Sequence, residues 1–171
     1  MTRNNGVSPT AGVLIFTLFV PFPAAGVIPW LMTRWQFQPP LAGIETGRWL
    51  GALIIVVGFT WFASAMTWFA REGVTPYPPI DHVVTTGPYA YSRNPMYSGA
   101  LMMMVGQALL LGSRALIIYA VCWFAAFVTF DLAIDDPILI KRFGKAYEDY
   151  IASVPAWIPR RPRRAPETSR V

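Results

Sequence analysis

Four stretches of the chain are strongly apolar and contain no charged residue. They lie at residues 11–33, 49–70, 96–112 and 115–130. A helix that crosses the bilayer core needs roughly 17–25 apolar residues. The first two stretches fit that length well. The last two are short and are separated only by Gly112-Ser113-Arg114, which predicts a tight helical hairpin whose second helix continues to about residue 134.

The residues after the fourth stretch alternate between apolar and charged at helical spacing, which predicts an amphipathic helix. Three prolines interrupt the first stretch, and we expect a bent helix whose freed carbonyls are satisfied by neighbouring helices. We therefore predict one membrane domain, 1–171, with transmembrane helices at about 11–33, 49–70, 96–112 and 115–134, a cytoplasmic loop at 71–95, an amphipathic helix at about 137–152 and a basic tail at 153–171.

The composition supports a protein embedded in lipid. Of the 171 residues, 54% are hydrophobic and 13% are charged, and the mean hydropathy is +0.42. Soluble domains carry about 25% charged residues. The fold class predicted is therefore an all-α integral membrane protein. The single cysteine, Cys122, lies inside an apolar stretch, which excludes an intrachain disulfide and a Cys/His metal site. We expect membrane lipids as neighbours, no metal and no nucleic-acid partner.

The distribution of basic residues predicts the orientation. With four crossings, eleven lysines and arginines lie on one side and three on the other. Because cytoplasmic loops are enriched in Lys and Arg, the side with eleven is predicted to be cytoplasmic, including both termini. The eleven are Arg3, Arg71, Arg93, Lys141, Arg142, Lys145, Arg160, Arg161, Arg163, Arg164 and Arg170, and the three are Arg34, Arg48 and Arg114.

Two polar segments border the apolar helices on that side. The first, "TGPYAYSRNPMYSG" at 86–99, leads directly into the third helix. The second contains Asp131, Asp135 and Asp136 at the exit of the fourth helix. Ionisable residues at membrane depth are costly and are a functional hypothesis by default. A pair of acids before Pro137 also suits a helix start, so a cap is the structural alternative.

Together these segments resemble the isoprenylcysteine carboxyl methyltransferase and phospholipid methyltransferase group, over about residues 83–159. The family's first block reads Gly-Pro-Tyr, Arg-His-Pro, then Tyr and Gly, and Asn94 stands here in place of the histidine. The family's second block has two glutamates, Phe-Gly and two spaced tyrosines, and Asp135 and Asp136 stand here at the glutamate positions. The matching residues are Gly87, Pro88, Tyr89, Arg93, Pro95, Tyr97 and Gly99 in the first block, and Phe143, Gly144, Tyr147 and Tyr150 in the second.

The resemblance implies an integral-membrane enzyme that uses S-adenosylmethionine. Every polar group of that cofactor needs a partner when it is sunk beside a membrane. Arg93 and Asn94 are the candidates for its carboxylate, with Arg93 also our candidate catalytic residue. Asp135 or Asp136 is the candidate for its ammonium, and Asp131 is the fallback.

The remaining candidates shape the same pocket. Pro95 suits the first position of the third helix, whose free N–H groups favour an anion. Gly99 leaves room for a close approach of backbone or cofactor. Tyr89, Tyr97 and Phe143 are candidates to flank the adenine or to shield the sulfonium through a cation–π contact.

The acceptor and the alternatives stay open at this point. A prenylated cysteine carboxylate, a phospholipid amine and a small thiol all suit direct displacement at the sulfonium methyl group, and His82 is a possible base. The main alternative is a non-catalytic membrane scaffold or a family member that has lost cofactor binding. A transporter is disfavoured because the membrane stretches hold few polar residues. The sequence does not determine the oligomeric state.

Overall fold

A computed structural model of the chain describes residues 9–73 and 82–160. Within these residues the protein is helical and contains no strand, which confirms the all-α prediction. The α-helices are α1 (Pro9–Phe19), α2 (Ile28–Thr33), α3 (Thr46–Arg71), α4 (Pro95–Leu111), α5 (Arg114–Phe130), α6 (Asp136–Phe143) and α7 (Lys145–Ser153). Two π-helical turns, Pro23–Val27 and Asp131–Asp135, and two 3₁₀ turns, Leu41–Gly43 and Gly87–Ala90, complete the described elements.

Three helical segments are long and apolar enough to cross a membrane. They are Thr10–Thr33, Thr46–Arg71 and Arg114–Phe143. Helix α4 is also apolar but has only 17 residues, the lower end of what a bilayer core requires, about 17. The integral-membrane class is thus supported, and a fourth crossing by α4 stays a prediction.

The prolines of the first span coincide with an interruption of its α-helix. Helix α1 ends at Phe19, a π turn occupies Pro23–Val27, and α2 starts at Ile28. Two side chains from other helices bond to carbonyls in this region. Gln107 Nε2 donates to Ala25 O at 2.7 Å, and the Tyr119 hydroxyl donates to Ala24 O at 2.8 Å. Neighbouring helices therefore satisfy carbonyls at the break, as predicted.

Helices α3 and α4 pack closely because glycines face each other across their interface. A Cβ atom placed on Gly58 would lie 2.9 Å from Gly99 O, and one on Gly99 would lie 2.9 Å from Gly58 O. Gly51 and Gly106 repeat this relation two turns away. Small residues at such contacts let helix backbones approach closely in membranes. Gly99 therefore leaves room for the backbone of α3, and it does not line the cavity described below.

The predicted hairpin between α4 and α5 is present. Gly112 has a φ of +74°, a left-handed conformation that suits glycine, and a side chain there would collide with Pro39 O. Ser113 caps α5 by accepting a hydrogen bond from Leu116 N at 3.4 Å. This turn lies at the end of the bundle opposite to the start of α4.

The C-terminal part differs from the prediction in two ways. The single helix expected at 137–152 is two helices, α6 and α7, because Gly144 breaks it with φ +55° and ψ −134°. The segment expected to be a tail from 153 is ordered by hydrogen bonds as far as Arg160, whose N–H donates to Tyr91 O at 3.0 Å. The rest of the predicted tail, 161–171, part of the predicted loop, 74–81, and Arg3 lie outside the described residues.

Candidate functional site

A cavity lies at the end of the bundle where α4 begins and α5 passes into α6. Its volume is about 150 Å³, and about 970 Å³ with the adjoining open space. Apolar side chains form one part of its lining and ionisable side chains another. The lining residues are Phe69, His82, Val83, Val84, Tyr89, Arg93, Asn94, Pro95, Met96, Tyr97, Asp131, Asp135, Ile138, Leu139, Arg142, Tyr147 and Tyr150.

Arg93 and Asp136 form a buried ion pair at the back of this cavity. Arg93 Nη1 lies 2.6 Å from Asp136 Oδ1, and the two side chains are only 9% and 12% exposed. The Tyr147 hydroxyl donates to the same Oδ1 at 2.7 Å. Burial by itself would lower the pKa of Arg93, but the hydrogen bond and charge of Asp136 outweigh it and the pKa is raised. Arg93 is therefore a permanent cation whose Nη1 is committed to Asp136.

A second bond joins the two polar segments beside the ion pair. Asn94 Nδ2 donates to Asp131 Oδ2 at 2.7 Å, and Asp131 is only 2% exposed. Asn94 stands where the family's first block has a histidine, and its amide is a neutral donor that needs no protonation. Both segments recognised in the sequence are thus bound to each other through two side-chain pairs.

The π turn at Asp131–Asp135 decides where the acidic side chains lie. In a π turn the hydrogen bonds join residues five apart, and Asp136 N donates to Asp131 O accordingly. Asp131 and Asp136 therefore lie one turn apart and are both buried, each bonded to the segment before α4. Asp135 lines the cavity and has no hydrogen-bond or ion-pair partner among the residues that the structure describes.

Two tyrosines of the first block contribute aromatic walls. Tyr97 stacks on Phe127 with ring centroids 4.6 Å apart and faces Trp157 at 6.4 Å. Tyr89 packs edge-on against Phe69 at 5.1 Å and is 5% exposed. Within the described part of the chain its hydroxyl has no partner, and burial raises its pKa well above the ordinary value. Tyr89 therefore stays neutral.

The structure brings six of the nine predicted site residues to the cavity wall. They are Tyr89, Arg93, Asn94, Pro95, Tyr97 and Asp135. Pro95 is the first residue of α4, as expected. Gly99 lies in the helix interface, and Asp136 lies behind Arg93. Phe143 packs with Tyr147 and Tyr150, beneath the Arg142 guanidinium. Gly99, Asp136 and Phe143 therefore do not line the cavity.

Sequence reasoning missed part of one helical face. Asp135, Ile138, Leu139 and Arg142 all line the cavity, and their spacing of three, four and seven positions is that of one helix face. That spacing in the sequence could have indicated that Ile138, Leu139 and Arg142 share a helix face with Asp135. Arg142 is exposed, and in the described residues its guanidinium contacts the Phe143 ring at 5.5 Å but no carboxylate. It is therefore a cation that a ligand in the cavity could use.

His82 lies at the edge of the cavity beside an ordered acidic group. Its Nε2 is 3.6 Å from Glu72 Oε2. Glu72 in turn accepts a hydrogen bond from the Thr86 hydroxyl, and Thr86 Oγ1 accepts one from Trp68 Nε1, both at 2.7 Å. An imidazole held beside a carboxylate can accept a proton at its other nitrogen.

The comparisons with known proteins agree with this reading of the two segments. The family model described as phospholipid methyltransferase matches residues 46–146, which is more than half of the chain. A protein from Schizosaccharomyces pombe named Protein-S-isoprenylcysteine O-methyltransferase is 37% identical over 82 residues, which cover 46% of this chain and 34% of that protein. A protein of the same name from Dictyostelium discoideum is 30% identical over 158 residues, which cover 89% of this chain and 62% of that protein.

The matched regions include the helices that build the cavity. The chain spans about a third and about three fifths of the lengths of these two relatives. The family match runs from the first residue of α3 through α6 and so contains both polar segments. The resemblance read from the sequence is confirmed, and the chain belongs to the phospholipid methyltransferase family.

Proposed function

We propose that this protein is an integral-membrane methyltransferase that uses S-adenosylmethionine and methylates a lipophilic acceptor. One observation carries the proposal. Two polar segments far apart in sequence meet at the end of apolar helices and enclose a cavity with both acidic and basic side chains. Family membership supplies the reaction class, and the names of the relatives support a lipophilic acceptor.

The residues at the cavity fit the charges of the cofactor. Asp135 presents a carboxylate without a partner in the described chain, which suits the ammonium group. The sequence predicts Arg93 as a binding partner of the cofactor's carboxylate, but Arg93 Nη1 is bonded to Asp136. We therefore assign the carboxylate to Arg142 and give Arg93 the role of positioning Asp136. Buried Arg93 Nε and the Tyr89 hydroxyl, both without partners in the described residues, are further groups that a ligand could satisfy.

Part of the cavity lining is apolar and suits a nucleoside. Phe69, Val84 and Tyr89 belong to one hydrophobic cluster that reaches the cavity. Ile138 and Leu139 line it from α6. These side chains exclude water from the reacting groups, and holding two reactants in line can supply about 7–11 kcal/mol of the barrier.

The bound cofactor would supply an electrophilic methyl group on a sulfonium. The protein's acidic residues at the cavity, Asp131 and Asp135, favour the binding of a cation. A carboxylate or thiolate acceptor needs no base. An amine or thiol acceptor must lose a proton, and His82 beside Glu72 is the candidate to accept it.

Two measurements test the proposal, first cofactor binding and then methyl transfer. Calorimetry on the detergent-purified protein should show binding of S-adenosylmethionine and of S-adenosylhomocysteine. Methyl transfer from labelled S-adenosylmethionine should then be measured to N-acetyl-S-farnesylcysteine, to phosphatidylethanolamine in vesicles and to a small thiol. A folded protein that binds neither cofactor form would reject the proposal and leave the scaffold as the better interpretation.

A further inference from the structure

The residues after α7 form a non-helical strap, Val154–Arg160, that crosses the segment carrying the site. Val154 is buried against Tyr147 and Tyr150 at one end of the strap. Arg160 N donates to Tyr91 O at the other end, at 3.0 Å. The strap therefore lies along Tyr91–Asn94, the residues directly before α4.

Backbone bonds join the strap to the two residues that carry the polar side chains of the first block. Arg93 N donates to Pro155 O at 2.9 Å, and Asn94 N donates to Ala156 O at 3.1 Å. The Ser92 hydroxyl, on a residue with no exposed surface, donates to the same Ala156 O at 2.8 Å. Among the described residues Arg93 N–H bonds only to Pro155 O, and Asn94 N–H has one further, longer bond, to Ser92 Oγ at 3.3 Å. The strap therefore supplies backbone bonds that a helix would otherwise provide.

The strap also contributes one aromatic side chain, Trp157, that packs against the cavity-lining residue Tyr97. The Trp157 ring faces Tyr97 with centroids 6.4 Å apart and meets Phe124 edge-on at 5.4 Å. Tyr97 therefore packs against both Phe127 and Trp157. Tyr97 lines the cavity, whereas Trp157 does not.

From these contacts we infer that the strap positions the ligand-binding residues of the cavity, with Trp157 acting on Tyr97 and the Pro155 and Ala156 carbonyls acting on Arg93 and Asn94. Trp157 is a positioning residue because it touches Tyr97 and not the cavity. The ligand part of this inference rests on the proposed function. The part that concerns how the strap holds Tyr91–Asn94 in place is independent of the proposed function.

Hydrogen exchange of the full-length protein in detergent tests the ligand-independent part. Trp157→Ala should accelerate exchange of the Arg93 and Asn94 amides, since it loosens the strap that accepts from them. Exchange in α3 should stay as in the parent. Trp49→Ala is the matched control, because Trp49 is 81% exposed and lies near the opposite end of the bundle. Unchanged exchange at Arg93 and Asn94 in Trp157→Ala would overturn the inference.

Binding of S-adenosylhomocysteine tests the ligand-dependent part. Trp157→Ala should weaken binding about three- to tenfold, the range expected for loss of an aromatic pair. Trp157→Phe should restore most of it, and a chain that ends at Arg160 should bind like the parent because it keeps the strap. If the parent protein binds no S-adenosylhomocysteine, the proposed function fails. The hydrogen-exchange result still shows whether the strap orders Tyr91–Asn94. Parent-like binding by Trp157→Ala, when the parent binds, would overturn the ligand part of the inference.

Discussion

The guanidinium of Arg93 and the carboxylate of Asp136 lie 2.6 Å apart although 43 positions separate them in the sequence. This pair connects the start of α4 to the start of α6 and closes the back of the cavity. Because both side chains are about nine-tenths buried, neither can be solvated if the other is removed.

The first prediction follows from that pair. Asp136→Asn should lower the free energy of unfolding by about 3–5 kcal/mol, the cost of leaving a buried charge without its partner. Thermal unfolding in detergent measures this. The double variant Arg93→Met, Asp136→Leu should be less destabilised than the sum of its single changes. Strict additivity would show that the two side chains do not interact.

The second prediction concerns Asp135, whose carboxylate faces the cavity without a partner in the described residues. Asp135→Asn should weaken S-adenosylmethionine binding about ten- to hundredfold, since a charge-assisted contact contributes roughly 1.5–3 kcal/mol. The melting temperature should stay unchanged because no structural bond is lost. Asp149→Asn is the control, as Asp149 is exposed and pairs only with Lys145 in the described structure. Parent-like binding by Asp135→Asn would argue against the assignment of the ammonium.

The third prediction concerns Arg142. Arg142→Gln should weaken the binding of S-adenosylmethionine by a similar factor of about ten to a hundred. It should not change the binding of 5′-methylthioadenosine, because that ligand lacks the amino-acid group. Lys141→Gln is the adjacent control, since Lys141 does not line the cavity. If Arg142→Gln lowers the affinity for both ligands equally, Arg142 does not bind the carboxylate of the cofactor.

The fourth prediction separates packing from binding at Gly99. Gly99→Ala should lower the melting temperature, because the new methyl group would meet Gly58 O at 2.9 Å, and overpacking of this kind costs about 1–3 kcal/mol. The affinity of the folded fraction for cofactor should not change. Gly47→Ala, where nothing lies within 4 Å, is the matched control and should be neutral or slightly stabilising. If Gly99→Ala lowers the affinity for the cofactor without lowering the melting temperature, Gly99 belongs to the binding site.

The fifth prediction concerns membrane topology. In the described residues Arg71, Arg93 and Arg142 lie at the cavity end of the helices, whereas Arg48 donates to Leu110 O at the opposite end. Reporter fusions at the N-terminus, near residue 85 and at residue 171 should all report the cytoplasm. A fusion near residue 45 should report the other side. Opposite locations for residues 85 and 171 would contradict both the topology and the shared cavity.

The sequence by itself determined the helical membrane architecture and the two segments of the site. Apolar stretches of a given length can be read directly, because a bilayer demands a minimum number of apolar residues per crossing. The helix start at Pro95 and the turn at Gly112 were likewise predictable, since each depends on the local backbone preferences of one residue. The motif around Arg93 and the acids at 135 and 136 pointed to the two segments that meet at the cavity, because each motif is short and contiguous.

Only the tertiary structure decided which side chains meet. An ordinary helix turns about 100° per residue, so the sequence assigned one of two adjacent acids to the pocket. The structure buries Asp131 and Asp136 against Asn94 and Arg93 and leaves Asp135 at the cavity without a partner among the described residues. The side-chain pairs of Asp131 and Asp136, and the strap at Val154–Arg160, depend on hydrogen bonds between residues far apart in the chain. Local sequence patterns do not encode such bonds, because each depends on a partner that only folding brings within reach.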